Sequence, residues 1–305
     1  MKMKFSKKRN ALISVFLVFL LTLSGCQVPT SFDGGGTPTA TYDGGELEIE
    51  YIDVGQGDSS LLISPSGKTM LIDTGKADAY EKIKKALDDR DIKKIDTFIV
   101  THPHADHIGS AWKIIDNYEI GELYLNGTAT SKVYQKTKDS AKKANLEMKE
   151  LTIDSKLDWD PHVTFKIFSP VKVGVLSGLN NESPIMQINY NNHRFLFTGD
   201  AESEAEDTAL AYDTKGLKSD VVKVGHHGSP TSSIPAFVLA TKPAVAIISV
   251  GKNNSYGHPD KTVVTRWQKA GAEVYSTEKN GNIIIKTKKD ELELMADRSM
   301  EPLAS

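Results

Sequence analysis

Four potential metal ligands fall within six residues, His102-Pro103-His104-Ala105-Asp106-His107. Neutral imidazole and carboxylate are what zinc and related divalent ions accept. A loop lets such alternating side chains converge on one point, which a regular helix or strand would not. His102 and His104 share one side, and Asp106 and His107 turn back toward a neighbouring position. The other histidines sharpen the pattern. Of eight in the chain, six lie in three short segments: 102–107, His226-His227 and His258. His162 and His193 fall outside it and read as ordinary surface or core residues.

Other residue types complete a possible centre. Asp200 ends an apolar run, Phe195-Leu196-Phe197-Thr198-Gly199-Asp200. A carboxylate there can bridge two cations, and the preceding glycine lets the backbone approach closely. Asp73, in Leu71-Ile72-Asp73-Thr74-Gly75, suits a supporting carboxylate that orients a histidine ligand. Val224-Gly225-His226-His227-Gly228-Ser229 runs into Thr231-Ser232-Ser233 ahead of an expected helix. Helix N-termini attract anions, so a phosphate or carboxylate of substrate is placed there, with Ser229 as a contact. His258 closes the third loop, where Lys252, Asn253 and Tyr256 are further candidates for substrate contact.

These segments need strands and helices to deliver them. Residues 48–54 alternate with a strand's period of two. Short apolar runs at 60–64 and 69–72 are split by Pro65-Ser66-Gly67-Lys68, which is turn chemistry. A helix is expected over 77–89. Thr97-Phe98-Ile99-Val100 is a compact buried strand leading straight into His102. The second half predicts strands at 163–169, 185–190, 193–198, 220–225 and 244–250, helices at 201–212, 233–241 and 260–270, and a closing hairpin at 273–287. Each histidine loop follows a predicted strand, so the three can meet at one sheet edge. The alternation describes a single layered α/β domain.

The amino end reads as an address. Five basic residues, Lys2 to Arg9, precede an apolar run of about 13 residues, too short to span a bilayer comfortably. Leu23-Ser24-Gly25-Cys26 looks like a bacterial lipobox, which implies cleavage before Cys26 and its lipidation. Residues 1–25 are thus expected to be a lipoprotein signal peptide. Residues 26–45, with Gly34-Gly35-Gly36-Thr37-Pro38, are expected to be a flexible tether, and residues 46–305 the working domain. The protein would stand on the outer face of the cytoplasmic membrane, held by its lipid alone. Cys26 is the single cysteine, so an intrachain disulfide is excluded. Losing the leader's five basic residues changes 37 basic against 40 acidic residues into 32 against 40, a net −8. That argues against gripping nucleic acid by charge alone, which rests on neutralising phosphates with Lys and Arg.

The 102–107 segment resembles the HxHxDH signature of the metallo-β-lactamase superfamily. Asp53-Val54-Gly55-Gln56-Gly57-Asp58, Leu71-Ile72-Asp73, Thr198-Gly199-Asp200, Lys223-Val224-Gly225-His226-His227-Gly228-Ser229 and Tyr256-Gly257-His258-Pro259 are similar to the soluble hydrolase domain of ComEC-type DNA-uptake proteins. The similarity covers roughly residues 46–287. It implies an αββα sandwich with metals at its edge and metal-dependent phosphodiester hydrolysis, with degradation of one DNA strand as the activity proposed for that branch. Two departures stand out. Asn180-Asn181-Glu182-Ser183 occupies the stretch where many superfamily members carry another histidine ligand, which points to a more open or manganese-tolerant site. The membrane segments of the uptake protein are absent.

The expected function is a two-metal hydrolase, with zinc or manganese, acting on a polyanionic substrate for which DNA is the leading candidate. A hydroxide bridging the cations would attack phosphorus. His102 and His104 would hold one ion, Asp106 and His107 the other, with Asp200 between. His226 is assigned as the remaining ligand, leaving His227 and His258 to protonate the leaving oxygen, and Asp106 counts as catalytic as well as a ligand; the sequence does not itself choose among the three histidines. Competing readings are an envelope esterase for teichoic-acid or phosphorylcholine phosphodiesters, a lactonase, and a metal-binding lipoprotein without turnover.

Overall fold

The computed structural model describes residues 2–6, 45–289 and 291–304. Of the expected leader and tether, only Lys2–Ser6 and Gly45 are described; Cys26 and the rest lie outside the described residues. Among the described residues no helix is long and apolar enough to cross a membrane.

The strands are β1 (Lys2–Ser6), β2 (Glu48–Tyr51), β3 (Ser60–Ile63), β4 (Thr69–Ile72), β5 (Lys94–Val100), β6 (Glu119–Leu125), β7 (Met148–Lys149), β8 (Val163–Ser169), β9 (Ile185–Tyr190), β10 (His193–Phe197), β11 (Val221–Lys223), β12 (Val245–Ile248), β13 (Glu273–Ser276), β14 (Ile283–Lys288) and β15 (Glu291–Ala296). They form two sheets, in the orders β1-β15-β14-β2-β3-β4-β5-β6-β7 and β13-β12-β11-β10-β9-β8. The strands that carry the histidine loops, β5, β11 and β12, pair in parallel with their neighbours. All three loops therefore leave at carboxyl ends.

Period-two side chains sort into three apolar layers. Ile49, Tyr51, Leu62, Met70, Ile72 and Ile99 face Met186, Ile188, Phe195, Phe197 and Val221 across the space between the sheets. Leu61, Leu71, Phe98 and Val100, their neighbours in sequence, point outward beneath the helices Tyr80–Asp88, Ala111–Asn117 and Lys132–Lys143. Leu196, Val222 and Ala246 do the same beneath Ser203–Asp213, Pro235–Thr241 and Lys261–Lys269. Strands buried on both faces and covered by helices give four layers, helix–sheet–sheet–helix. Tyr51 and Phe197 stack across the middle with centroids 5.8 Å apart. Each large side chain so buried stabilises the fold by roughly 1.5–3 kcal/mol.

Two expectations are corrected. Residues 273–287 are not a hairpin. β13 pairs with β12, whereas β14 pairs with β2 and β15 in the other sheet. The short helix Thr277–Asn280 carries the chain across, and the true hairpin is β14–β15. The histidine loops also do not share one sheet edge: 102–107 follows β5 of the larger sheet, and the other two follow β11 and β12 of the smaller. The centre lies where the two sheets meet.

Candidate metal centre

β5 ends at Val100 in the core, and Thr101 and His102 are buried immediately after it. Residues Ala105–Ile108 form one helical turn that starts at His104 and swings Asp106 and His107 back under His102. The turn needs room: a Cβ on Gly57 would stand 2.3 Å from the carbonyl of Asp106. Gly199 has φ 48°, and a Cβ there would press within 2.9 Å of Ser183. That close approach seats Asp200 at the floor of the site.

His226 and His227 both have left-handed backbone, φ 48° and 52°, although neither is glycine. Such conformations cost roughly 1–3 kcal/mol each and persist only where the surroundings impose them. Here they splay the two rings apart. His227 is buried, with Nδ1 donating to the carbonyl of Ser249 at 2.9 Å. Its Nε2 is therefore the unprotonated edge of the neutral ring, 3.4 Å from both Asp106 Oδ2 and Asp200 Oδ2. His226 stands at the rim with Nδ1 3.1 Å from Glu202 Oε1 and Nε2 3.9 Å from Asp200 Oδ2.

The other rings are fixed in the same way. His107 Nδ1 meets Asp73 Oδ2 at 2.8 Å, leaving Nε2 at 3.1 Å from Asp200 Oδ2. Asp73 itself is anchored by the Thr101 amide and hydroxyl, which donate to its two oxygens at 2.7 and 2.8 Å. His102 Nδ1 faces the hydroxyls of Thr101 and Ser183, both at 3.2 Å, and its Nε2 lies 3.0 Å from His104 Nδ1.

No hydrogen bond is completed at His107 Nε2, His227 Nε2, Asp200 Oδ1 or Asp58 Oδ1, all buried. The nitrogens lie near carboxylate oxygens yet are not aligned with them. Atoms arranged around a common point, rather than aimed at each other, are what a coordinated cation needs. One ligand atom from each of Asp58, His107, Asp200 and His227 lies within 4.8 Å of the others. Within this set Asp58 has a separate task. Its Oδ1 is 3.2 Å from His227 Nδ1, the edge of the ring opposite to Nε2, so it supports the histidine from behind. Its Oδ2 is paired with the Lys223 ammonium, and both side chains are buried.

The electrostatics follow from burial opposed by these neighbours. Burial alone would depress His107 and His227, but Asp200 with Asp73, and Asp200 with Asp58, hold both well above the ordinary imidazole value. Burial would raise Asp58, Asp106 and Asp200, yet the facing cations keep each lowered. His102 is depressed by burial and by His107. His258 is lowered by burial and then by His226 and His227.

Above this floor opens a cleft of about 380 Å³, lined among others by Gln56, Lys76, His104, Asn180, Tyr256 and His258. Tyr256 is exposed at its mouth and stacks on His258 with centroids 5.8 Å apart. Lys252 and Asn253 are exposed in the same loop but do not line the cleft. Asn254 shapes that loop instead. It donates to the carbonyls of Gly251 and His258 and accepts from the amides of Tyr256 and His258. Ser229 is buried, with its hydroxyl 2.9 Å from that of Thr231.

The helix after Ser229 starts at Pro235, and a carboxyl group already stands there. Glu206 accepts from the amides of Ser233 and Ile234 at 2.6 and 2.7 Å. Burial pushes its pKa up to about 7 in spite of those donors. The helix start expected to receive substrate is thus capped from within the protein, because Glu206 projects onto it from the helix Ser203–Asp213. Asp58, Lys223 and Glu206 were given no individual role in the sequence analysis. Asp58 and Lys223 lie 165 positions apart, and only a sheet brings such residues together. The readable signal was a charged residue inside an otherwise apolar strand, Val221-Val222-Lys223-Val224.

Residues 52–252 match the sequence profile of the Metallo-beta-lactamase superfamily. The chain is 31% identical over 256 residues to ComE operon protein 3 of Bacillus subtilis, covering 78% of this chain and 33% of that protein. It is 26% identical over 237 residues to Competence protein ComA of Neisseria gonorrhoeae, covering 77% and 32%. It therefore spans about a third of the length of these relatives. The metallo-beta-lactamase fold protein YhfI from Bacillus subtilis superposes with a TM-score of 0.53 at 12% identity, covering 80% of this chain and all of that one, a likeness of fold.

Two outcomes follow from the geometry. Metal must displace the protons that the carboxylates hold on His107 and His227. Below their raised pKa values each ion competes with protons, so calorimetric affinity should climb as pH rises through and above the ordinary histidine range, with proton release on binding. A pH-independent affinity would contradict the assignment. Replacing Asp58 by Asn strands the Lys223 charge in the core and should cost about 3–5 kcal/mol in denaturant unfolding, much of it recovered in Asp58→Asn/Lys223→Met.

Proposed function

The chain belongs to the metallo-beta-lactamase superfamily, and from that premise we propose that it is a two-ion phosphodiesterase that cuts nucleic-acid strands, DNA foremost. Family and ligand cluster together make it a metal-dependent hydrolase. The observation that carries the finer reading is the set of unbonded, buried ligand atoms on the floor of a cleft whose wall offers a lysine. Relatedness to competence proteins supports DNA as the polymer.

In this reading His102 Nε2 and His104 Nδ1 hold one ion. Asp106, His107 Nε2 and His227 Nε2 hold the other, and Asp200 lies between them. His227 replaces His226 as the ligand of the second ion, because its free edge faces Asp106 and Asp200 while His226 stays at the rim. Bound divalent ions would supply an acidified water and neutralise charge on the phosphoryl oxygens. Lys76 and the side-chain amide of Gln56, whose Nε2 is buried without a hydrogen bond, meet phosphate oxygens as the strand enters. His258, outside the ligand cluster but within the cleft, serves the leaving oxygen, with Tyr256 holding its ring in plane. We also place the protein on the outer face of the bacterial membrane through lipid on Cys26.

The deciding assay uses bis-p-nitrophenyl phosphate and linear DNA with zinc, manganese or no metal, beside His104→Ala/Asp106→Ala. Metal-dependent cleavage of both substrates, lost in the double variant, is the expected result. Turnover of the small ester alone would move the assignment to an envelope phosphodiester such as a teichoic acid. No turnover with any metal would sink the phosphodiesterase. For the anchor, Cys26→Ala should move the protein from the detergent phase to the aqueous phase in Triton X-114 partitioning. Unchanged partitioning would refute lipidation.

A further inference from the structure

One polar atom at the metal centre has no role so far. Asn180 Oδ1 is buried and makes no hydrogen bond, and Asn180 lines the cleft beside His104, Asp200 and His226. An unmet buried acceptor costs roughly 1–3 kcal/mol, so its survival needs a reason.

Its orientation is tightly set. Asn180 Nδ2 donates to Glu202 Oε1 at 3.2 Å. A carboxylate oxygen only accepts, which settles which end of the amide is which and turns Oδ1 away from Glu202. The same Glu202 oxygen lies 3.1 Å from His226 Nδ1 and accepts from the Thr231 hydroxyl at 2.9 Å. The turn that carries Asn180 is held on every side. Asn181 Oδ1 accepts from the amides of Glu202 and Ala205 at 3.0 and 3.3 Å, and its Nδ2 donates to the carbonyl of Ser177 at 2.8 Å. Asn126 Nδ2 donates to the carbonyl of Glu182 at 3.0 Å. The hydroxyl of Ser183 accepts from the amide of Asp200 at 3.1 Å. The segment that carries Asn180 is thus bonded directly to the residue that bridges the centre. The turn is held firmly, and the bare carbonyl oxygen it carries in the wall of the cleft is free to serve as a ligand.

We propose that Asn180 Oδ1 is an oxygen ligand of the ion held by His102 and His104, giving that ion two imidazole nitrogens with oxygens from Asp200 and Asn180. The inference rests on the two-ion reading above. Nitrogen-rich sets suit zinc, whereas carboxylate and carbonyl oxygens suit manganese and magnesium. The consequence is an asymmetric centre. The ion at Asp106, His107 and His227 is held in a pocket of buried charge. The ion at His102 and His104 has a harder, more exposed set and admits manganese.

The test is metal stoichiometry and affinity, read by calorimetry and elemental analysis on the full-length chain in detergent, comparing wild type with Asn180→Ala and Asn180→His. Wild type should take up two manganese ions. Asn180→Ala should keep the first at unchanged affinity and bind the second about tenfold or more weakly, with the melting temperature of the metal-free protein not lowered. Asn180→His should shift the second site toward zinc by a similar factor. Wild-type affinity for both ions in Asn180→Ala, or an unaltered manganese-to-zinc preference in Asn180→His, would overturn the inference and leave the oxygen to a water molecule. Failure of the wild type itself to bind a second ion would overturn the two-ion reading along with it.

Discussion

Everything in this molecule is arranged around the charge of Asp200. It is buried between two sheets, where an isolated carboxylate would cost several kcal/mol, and it follows a strand whose last three residues, Phe195, Leu196 and Phe197, are apolar and buried. Four imidazole nitrogens, from His102, His107, His226 and His227, come within 3.1–3.9 Å of one of its oxygens. Each ring is pinned at its opposite nitrogen by a hydroxyl, a carboxylate or a backbone carbonyl. Three residues with left-handed backbone, His226, His227 and Asp73, stand at the same place. Such geometry persists because packed elements on both sides over-determine it.

Charge balance reaches beyond the ligands. Asp58, Asp73, Asp106 and Asp200 put four carboxylates within a small volume, and Lys223 with the raised imidazoles answers them. A divalent ion bound here would exchange those protons for metal charge. Glu206 and Glu202 extend the same logic outward. The first occupies a helix start that would otherwise compete for anions, and the second aligns three side chains at the rim, those of Asn180, His226 and Thr231. The cleft is left with a lysine, a free amide and an aromatic pair facing any substrate.

The polar signature of the site was open to direct reading. His102, His104, Asp106, His107 and Asp200 stand in short motifs whose residue types have few other uses, and period-two alternation marked most strands flanking them. The layered α/β class followed from that alternation. Between His107 and the strand at 163 hydrophobic pattern marks no element, yet that stretch holds the short helix Ala111–Asn117, the strands β6 and β7 and, at its centre, the helix Lys132–Lys143. Its helix carries mostly lysines and other polar residues, and packing rather than pattern fixes it. The hairpin expected at 273–287 failed for a related reason. Two apolar strands joined by a short turn look alike whether they pair or part into different sheets, and the decision belongs to the neighbours β12 and β2.

The chain's linear order thus determined the types of the candidate ligands, the strands that lead to them and the glycines that admit close approach. These depend on local spacing and local sterics, which sequence records directly. Tertiary structure alone decided that Asp58 and Lys223 pair behind His227, that Glu206 occupies the helix start, that Asn254 rather than Asn253 shapes the third loop, and which edge of each histidine ring stays free. Those outcomes depend on contacts between residues tens to hundreds of positions apart, and on which ring nitrogen a distant carbonyl or carboxylate happens to claim.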